Sequence, residues 1–334
     1  MAGKILTIIV PSYNTENYID ECFPTMLEHN WREELEILAI NDGSKDHTLK
    51  KLREYEIKYP ESVRVIDKSN GGHGSVINLG VKTAKGKYVK VVDGDDWVDT
   101  ENLGKLIDTL KNIDADLVIS PLIKFYVDKR RGVQHSFQIE KGRSLHFDEI
   151  GNTLDEVEIH AATYKTSIFR DNKVQVRENC YYDDTEYNIF PIPYVETVYA
   201  TEEPIYYYRI GTQEQSINPK KAFQNRKMHQ RIVEDCLQFY DENEKQFTKS
   251  KREYIKRIIY KRVRSQYMIY VKNDVTASNH RELMEWDLRL QQISPYFYRE
   301  INSFPIRFLR SNKRFAYLLL HMLYYMYAKF VKQR

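Results

Sequence analysis

Cysteine is scarce. The 334 residues hold three, Cys22, Cys180 and Cys236, far apart and without a Cys-x-x-Cys pair. That excludes a disulfide framework and a structural zinc site, and it fits a reducing compartment. Charge of one sign is also lacking: a formal net charge of +3 is too small to make this a nucleic-acid protein. No G-x-G-x-x-G follows the first strand and no phosphate-binding P-loop occurs anywhere, so dinucleotide and ATPase readings lose ground. The most apolar stretch, residues 315–331, is 17 residues long, short of the roughly 20 that a bilayer span needs. The opening MAGKILTIIV leads straight into structure and reads as a first strand rather than a signal peptide.

What is present is a globular composition, with 42% apolar and 13% aromatic residues and length enough for a sizeable core. The 26 tyrosines suit sugar and nucleotide faces as well as ordinary cores, and most are expected to be structural. Residues 4–10, 35–41, 63–67, 88–93 and 116–120 are short apolar or β-branched runs, each followed by turn chemistry and a helical stretch. Pro24 interrupts the helical face of Ile19, Cys22, Phe23, Met26 and Leu27. Leu49, Leu52, Tyr55 and Tyr59 make a second stripe. This rhythm predicts an α/β fold, a mainly parallel sheet flanked by helices, with ligands at the carboxyl ends of the strands. Residues 122–127 and 133–139 read as a hairpin around 129–132. A short helix over 165–172, an acidic helix start near Asp183 and strands near 197–200 and 205–209 follow. From residue 219 onward the chain is helical and basic, with almost no glycine. A boundary near 216 separates a catalytic region (1–215, with a nucleotide half to 120 and an acceptor half from 121) from a helical appendage (216–334).

Four strand ends carry polar clusters: Pro11-Ser12-Tyr13-Asn14-Thr15-Glu16, Asn41-Asp42-Gly43-Ser44, Asn70-Gly71-Gly72-His73-Gly74, and Asp93-Gly94-Asp95-Asp96-Trp97. Singly each has a plain explanation as a turn, a loop or a helix cap. Together they mark one ligand edge. The three carboxylates of Asp93, Asp95 and Asp96 repel one another unless a cation is near, and oxygen ligands suit Mn²⁺ or Mg²⁺; the alternative is an Asp-rich turn before a helix. Asp42 is placed to accept hydrogen bonds from a base or ribose, and Tyr13 to stack on the base. Gly71, Gly72 and Gly74 would let backbone approach phosphates.

These segments, IIVPSYNTENYI, INDGSKDHT and NGGHGSVINLGVKTAKGKYVKVVDGDDW, resemble family 2 glycosyltransferases, the inverting family with the type A nucleotide-diphospho-sugar transferase fold. The resemblance covers about the first 210 residues. It implies that Pro11, Tyr13, Asn14, Glu16, Asp42, Gly72, His73, Asn78, Asp93, Gly94 and Asp95 form a nucleotide-sugar site, usually for a uracil nucleotide. It implies too that Asp93, Asp95 and Asp96 serve the metal and diphosphate. One departure stands out: Ile77 precedes Asn78 where the family often has Arg, so His73 or another residue takes over that work or it is not done.

Members carry a Glu-Asp pair ahead of a later helix, and its Asp takes the acceptor proton. Here the pair is Asp183-Asp184, with Asp184 the expected base and Asp183 the runner-up; helix N-terminal acids are the alternative. His160, Arg209 and Gln215 are candidate acceptor or diphosphate contacts. Residues 249–264 hold eight Lys or Arg and one Glu, and residues 301–334 seven and no acid. That favours helices lying on an anionic membrane surface, with a solvated face, a core helix or a homo-oligomer contact as alternatives. The expected protein is a metal-dependent glycosyltransferase, peripheral on the cytoplasmic face of a bacterial membrane, moving sugar from a UDP-sugar to a lipid-linked glycan. A nucleotidyltransferase and a non-catalytic sugar-nucleotide-binding component of a glycan assembly complex are the rivals.

Overall fold

The computed structural model describes residues 3–27, 31, 33–211 and 219–332. The chain divides into two compact units, Met1–Thr212 with Thr248–Tyr254, and Gln213–Phe247 with Ile255–Arg334.

The first unit is built on strands β1 (Leu6–Ser12), β2 (Leu35–Asp42), β3 (Val63–Lys68), β4 (Tyr88–Val91), β5 (Trp97–Val98), β6 (Leu117–Ile119), β7 (Leu122–Tyr126), β8 (Arg131–His135), β9 (Ser144–His146), β10 (Ala162–Lys165), β11 (Thr197–Ala200) and β12 (Tyr206–Ile210). Eight of them form one sheet in the order β3-β2-β1-β4-β10-β6-β11-β9. β1 to β4 are parallel to one another. Every residue of β1, β2 and β4 is buried, as strands covered on both faces must be. β10 enters antiparallel between β4 and β6. The helices are α1 (Ile19–Cys22), α2 (Pro24–Leu27), α3 (Thr48–Lys58), α4 (His73–Thr83), α5 (Thr100–Asn112), α6 (Phe147–Ile150), α7 (Thr166–Asp171) and α8 (Asp184–Ile189). Pro24 splits the first helical run at Phe23, yet Ile19, Cys22, Phe23, Met26 and Leu27 all stay buried.

A second, four-stranded sheet, β5-β12-β7-β8, was not foreseen as a separate layer. Its β7–β8 hairpin turns at residues 127–130, two residues ahead of the expected turn. Arg130 takes the left-handed conformation (φ 47) that closes it, and Gly132 lies within β8, where a Cβ would meet Ile123.

The second unit is helical: α9 (Pro219–Gln224), α10 (Arg226–Asn243), most of α11 (Lys249–Val271), α12 (Ala277–Ile293), α13 (Pro295–Glu300) and α14 (Ile306–Lys332). Ile255, Ile258, Ile259 and Val263 of α11 turn inward as their spacing predicts. Asp287 is held by Arg310 at 2.8 Å and by the Tyr267 hydroxyl. Among the described residues no helix is long and apolar enough to cross a membrane.

Gly86 marks a close backbone approach between β1 and the segment leading into β4: a Cβ there would lie 2.4 Å from the Thr7 nitrogen and 2.7 Å from the Leu6 carbonyl carbon. Gly86→Ala should lower unfolding free energy by about 1–3 kcal/mol or more. Gly3→Ala, with nothing within 4 Å, should not. Urea midpoints of the two variants compared with the parent chain check this.

Candidate active site

Because β1 to β4 run the same way, their carboxyl ends deliver the four polar clusters to one edge. The first two clusters are laced together. Asn14, left-handed at φ 54, donates its N–H to Ser44 Oγ and accepts from Lys45 N at 2.8 Å. Glu16 Oε2 accepts from the His47 backbone at 2.7 Å. Tyr13 is left 48% exposed, its ring open to solvent. The Pro11 carbonyl accepts from Gly94 N at 3.1 Å, and a Cβ on Gly94 would sit 2.9 Å from that oxygen.

Asp42, buried at the end of β2, accepts from Lys68 Nζ at 2.6 Å, Gly71 N at 2.9 Å and Gly72 N at 2.8 Å. Its carboxylate therefore organises the third loop. The glycines of that loop make room for close packing. A Cβ on Gly74 would lie 2.1 Å from the Arg177 carbonyl oxygen, and one on Gly72 (φ +80) 3.2 Å from Asn179 N. Asn179 N–H donates to the Gly71 carbonyl. The glycines let the loop press against residues 176–180. Asn78 belongs to the same seam: it donates to the Val176 carbonyl at 2.9 Å and accepts from Val176 N at 3.0 Å. Ile77, where the family often has Arg, is buried in the core.

The Asp-rich turn after β4 resolves into three roles. Asp93 lies between two imidazoles, Oδ1 3.1 Å from His73 Nε2 and Oδ2 3.3 Å from His160 Nε2. Burial pushes its carboxyl up, but hydrogen bonds and charge from His160 and His73 outweigh this and hold it well below the usual range. Burial works against both histidines as well; carboxylate partners, Asp183 and Asp93 for His73 and Asp93 and Glu158 for His160, raise them, His160 to about 9. Asp96, 2% exposed, accepts from the Tyr206 hydroxyl at 2.6 Å and from Arg209 N at 2.7 Å. Burial, then Asp95 and Asp93, push it well up. Asp95 is half-buried and is raised by burial and by Asp93.

Asp93, Asp96 and His160 each offer a ligand atom, all within 4.8 Å of one another. Two carboxylates and an imidazole fit Mn²⁺ better than Mg²⁺, which prefers oxygen alone. His160 joins Asp93 and Asp96 in that cluster, which does not include Asp95.

Of the acidic pair, Asp183 is 3% exposed and faces His73 Nδ1 at 2.7 Å. Asp184 opens α8 and is half-buried. Arg209 is committed elsewhere: Nε donates to the Asp95 carbonyl, the guanidinium pairs with Glu21 at 2.8 Å, and it lies over Trp97 and Tyr18. Gln215 lies outside the described residues.

Three residues here escaped the sequence reading. Lys90, fully buried in β4, donates to the His160 carbonyl at 2.7 Å, and burial pushes its ammonium down to about 7. Tyr206 links Asp93 N to Asp96, and Tyr208 stacks on His160 at 4.4 Å. The run Tyr206-Tyr207-Tyr208 beside Arg209 was the available signal.

A parallel-centred sheet with an Asp-rich turn and a later acidic helix start at its carboxyl edge defines the type A nucleotide-diphospho-sugar transferase class. The family model "Glycosyl transferase family 2" matches residues 7–175, just over half of the chain, and the chain belongs to that family. It is 30% identical over 213 residues to the uncharacterized glycosyltransferase EpsJ of Bacillus subtilis, covering 61% of each chain. It is 29% identical over 175 residues to the poly(ribitol-phosphate) beta-N-acetylglucosaminyltransferase TarS of Staphylococcus aureus (strain Mu50), covering 52% of this chain and 29% of TarS. The matches thus span less than two thirds of these relatives' lengths. The crystal structure of S. aureus TarS 1–349 in complex with UDP-GlcNAc matches the fold with a TM-score of 0.67 at 18% identity, over 96% of this chain and 92% of that one. A mannosyltransferase from Pyrobaculum calidifontis in complex with GDP-Man and Mn²⁺ matches with a TM-score of 0.51 at 11% identity, over 98% and 88%.

Asp96→Ala should cost about 1–3 kcal/mol of stability, because it leaves the buried Tyr206 hydroxyl and Arg209 N–H without their acceptor. Asp95→Ala should leave stability within about 0.5 kcal/mol of the parent, since among the described residues no other residue's buried group hydrogen-bonds to its side chain. Thermal melts of both variants separate these roles.

Proposed function

We propose that this chain is an inverting glycosyltransferase that moves a sugar from a nucleotide diphosphate donor, a UDP-sugar, to a hydroxyl of a lipid-linked glycan in capsule, exopolysaccharide or cell-wall polymer synthesis. The observation that carries it is the Asp93 carboxylate, clamped by His73 and His160 within one cluster that also reaches the acidic pair. The named substrates of the relatives support the donor: TarS was solved with UDP-GlcNAc.

In this reading the exposed Tyr13 ring offers a stacking face for the base, beside the Asp42-braced loop. Asp184 accepts the proton of the acceptor hydroxyl. That oxygen forms its bond to the anomeric carbon from the opposite side as the bond to the diphosphate breaks, which inverts the centre. Asp184 is preferred over Asp183 because Asp183 is buried against His73. Asp93, Asp96 and His160 would hold Mn²⁺ or Mg²⁺, which would neutralise charge on the departing nucleotide.

Asp184→Asn should keep UDP affinity and lose roughly 10²–10⁴ in turnover, the usual worth of a general base. Excess EDTA should abolish turnover. Binding by titration calorimetry with a panel of UDP- and GDP-sugars, followed by turnover of the best donor, tests both. Full activity in EDTA would remove the metal. A chain that binds UDP and transfers nothing would favour the non-catalytic alternative, and formation of a nucleotide sugar from a sugar phosphate the nucleotidyltransferase.

The place of work proposed here is supported by α14. Phe315, Leu318, Met322, Tyr325 and Met326 recur on one face and are exposed, Phe315 by 66%. Arg307, Arg314 and Lys329 are exposed on the same helix, which carries no acid. Arg310, also expected among lipids, is instead committed to Asp287 and to the Tyr298 and Ile301 carbonyls. Lys313 and Lys332 have side chains outside the description. We read this face as lying at the headgroup boundary of an anionic membrane, each surface-near charge contributing about 1 kcal/mol. The chain should co-sediment with phosphatidylserine vesicles at low salt and less at high salt. Phe315→Ser with Met322→Ser should abolish this while sparing UDP binding. A parent chain that stays in the supernatant at low salt refutes the membrane reading.

A further inference from the structure

The Asp183-Asp184 pair lies more than eighty residues beyond the last of the loops that form the nucleotide edge, and its place relative to that edge must be fixed by something. The segment leading to it is irregular and strained. Lys173 (φ 53), Asn179 (φ 53) and Tyr182 (φ 73) all take the left-handed conformation, which costs non-glycine residues energy and persists only where surroundings impose it. The surroundings are α4 and the loop before it. Gly71 accepts from Asn179, Gly74 admits the Arg177 carbonyl, and Asn78 pairs both ways with Val176. From the other side, buried Glu186 of α8 accepts from Arg177 N. At the top of this seam His73, the first residue of α4, places Nδ1 2.7 Å from Asp183 and Nε2 3.1 Å from Asp93. Asp183 occupies the N-cap of α8 without capping it, because its side chain turns to His73 instead.

We infer that His73 is a positioning residue: it bridges the donor-side Asp93 and the acceptor-side Asp183, and through Asp183 it fixes Asp184 opposite the donor. This rests on the glycosyltransferase reading for its catalytic consequence, though not for its structural one. The bridge runs from a strand-end carboxylate through one imidazole to the residue before the base, so a shift of the ring moves α8 against the donor edge. Effects of that kind appear in turnover rather than in donor affinity.

The two ring nitrogens can be separated. An Asn side chain places its amide nitrogen near the Nδ1 position and keeps the Asp183 contact, whereas Gln places it near Nε2 and keeps the Asp93 contact. In the full-length chain, His73→Gln should lower kcat by about 10²-fold, the size expected of a misplacement of about 1 Å. His73→Asn, which keeps only the Asp183 end of the bridge, should lower kcat less than His73→Gln does, and in both variants the loss in kcat should exceed any loss of UDP affinity. Independently of turnover, His73→Ala should lose hydrogen-exchange protection at the amides of residues 182–187 while α5 keeps its own. The inference fails if Gln rescues better than Asn, if UDP affinity falls as far as kcat, or if exchange over 182–187 is unaltered. Uniform loss of protection across the whole first unit would mean a general stabilising role and would equally overturn it. If the parent chain transfers from no donor, the glycosyltransferase reading falls, and the exchange measurement still decides the bridge.

Discussion

Three carboxylates within four residues, Asp93, Asp95 and Asp96, cannot share one turn without compensation, and most of the first unit's irregular architecture supplies it. Asp93 is answered by imidazoles from the start of α4 and from the approach to β10. Asp96 is answered by a hydroxyl and a backbone N–H from β12. For β12 to reach it, the chain must leave the large sheet and pair with β5 and β7 in a second one. The small sheet and the antiparallel insertion of β10 thus bring compensating groups to a turn that repulsion would otherwise open.

The elements legible in the sequence are those whose signal is local. β1 to β4 and the four strand-end clusters followed from short buried runs and the turn chemistry after them. The inward face of α11 followed from helical spacing. What was missed depends on partners far along the chain. Gly74 looks like a phosphate-loop glycine until Arg177, more than a hundred residues on, is seen against it. Asp96 looks like an open carboxylate until Tyr206 and Arg209 are seen to hydrogen-bond to its two oxygens. Arg310 reads as a surface cation because nothing nearby in sequence announces Asp287. Lys90 was read as part of an apolar strand, since its satisfied carbonyls belong to residues 160 and 162.

Family membership and geometry bear on different parts of the chain. The family model ends at residue 175, ahead of the acidic pair, so the placement of Asp183 and Asp184 rests on the seam with α4. The helical unit lies beyond the family model, and its fold is covered by the match to TarS 1–349, which spans 96% of this chain.

Lys90 carries a consequence for how the sheet is assembled. Tyr88, Val89 and Val91 are buried, and β4 has apolar neighbours on both sides, so hydrophobic pattern alone gives it weak register. A slip of one residue would carry the Lys90 ammonium to the opposite face of the sheet, away from the carbonyls of His160 and Ala162. A strand that would otherwise tolerate several alignments is therefore keyed to one, the alignment that brings Asp93 level with the two histidines.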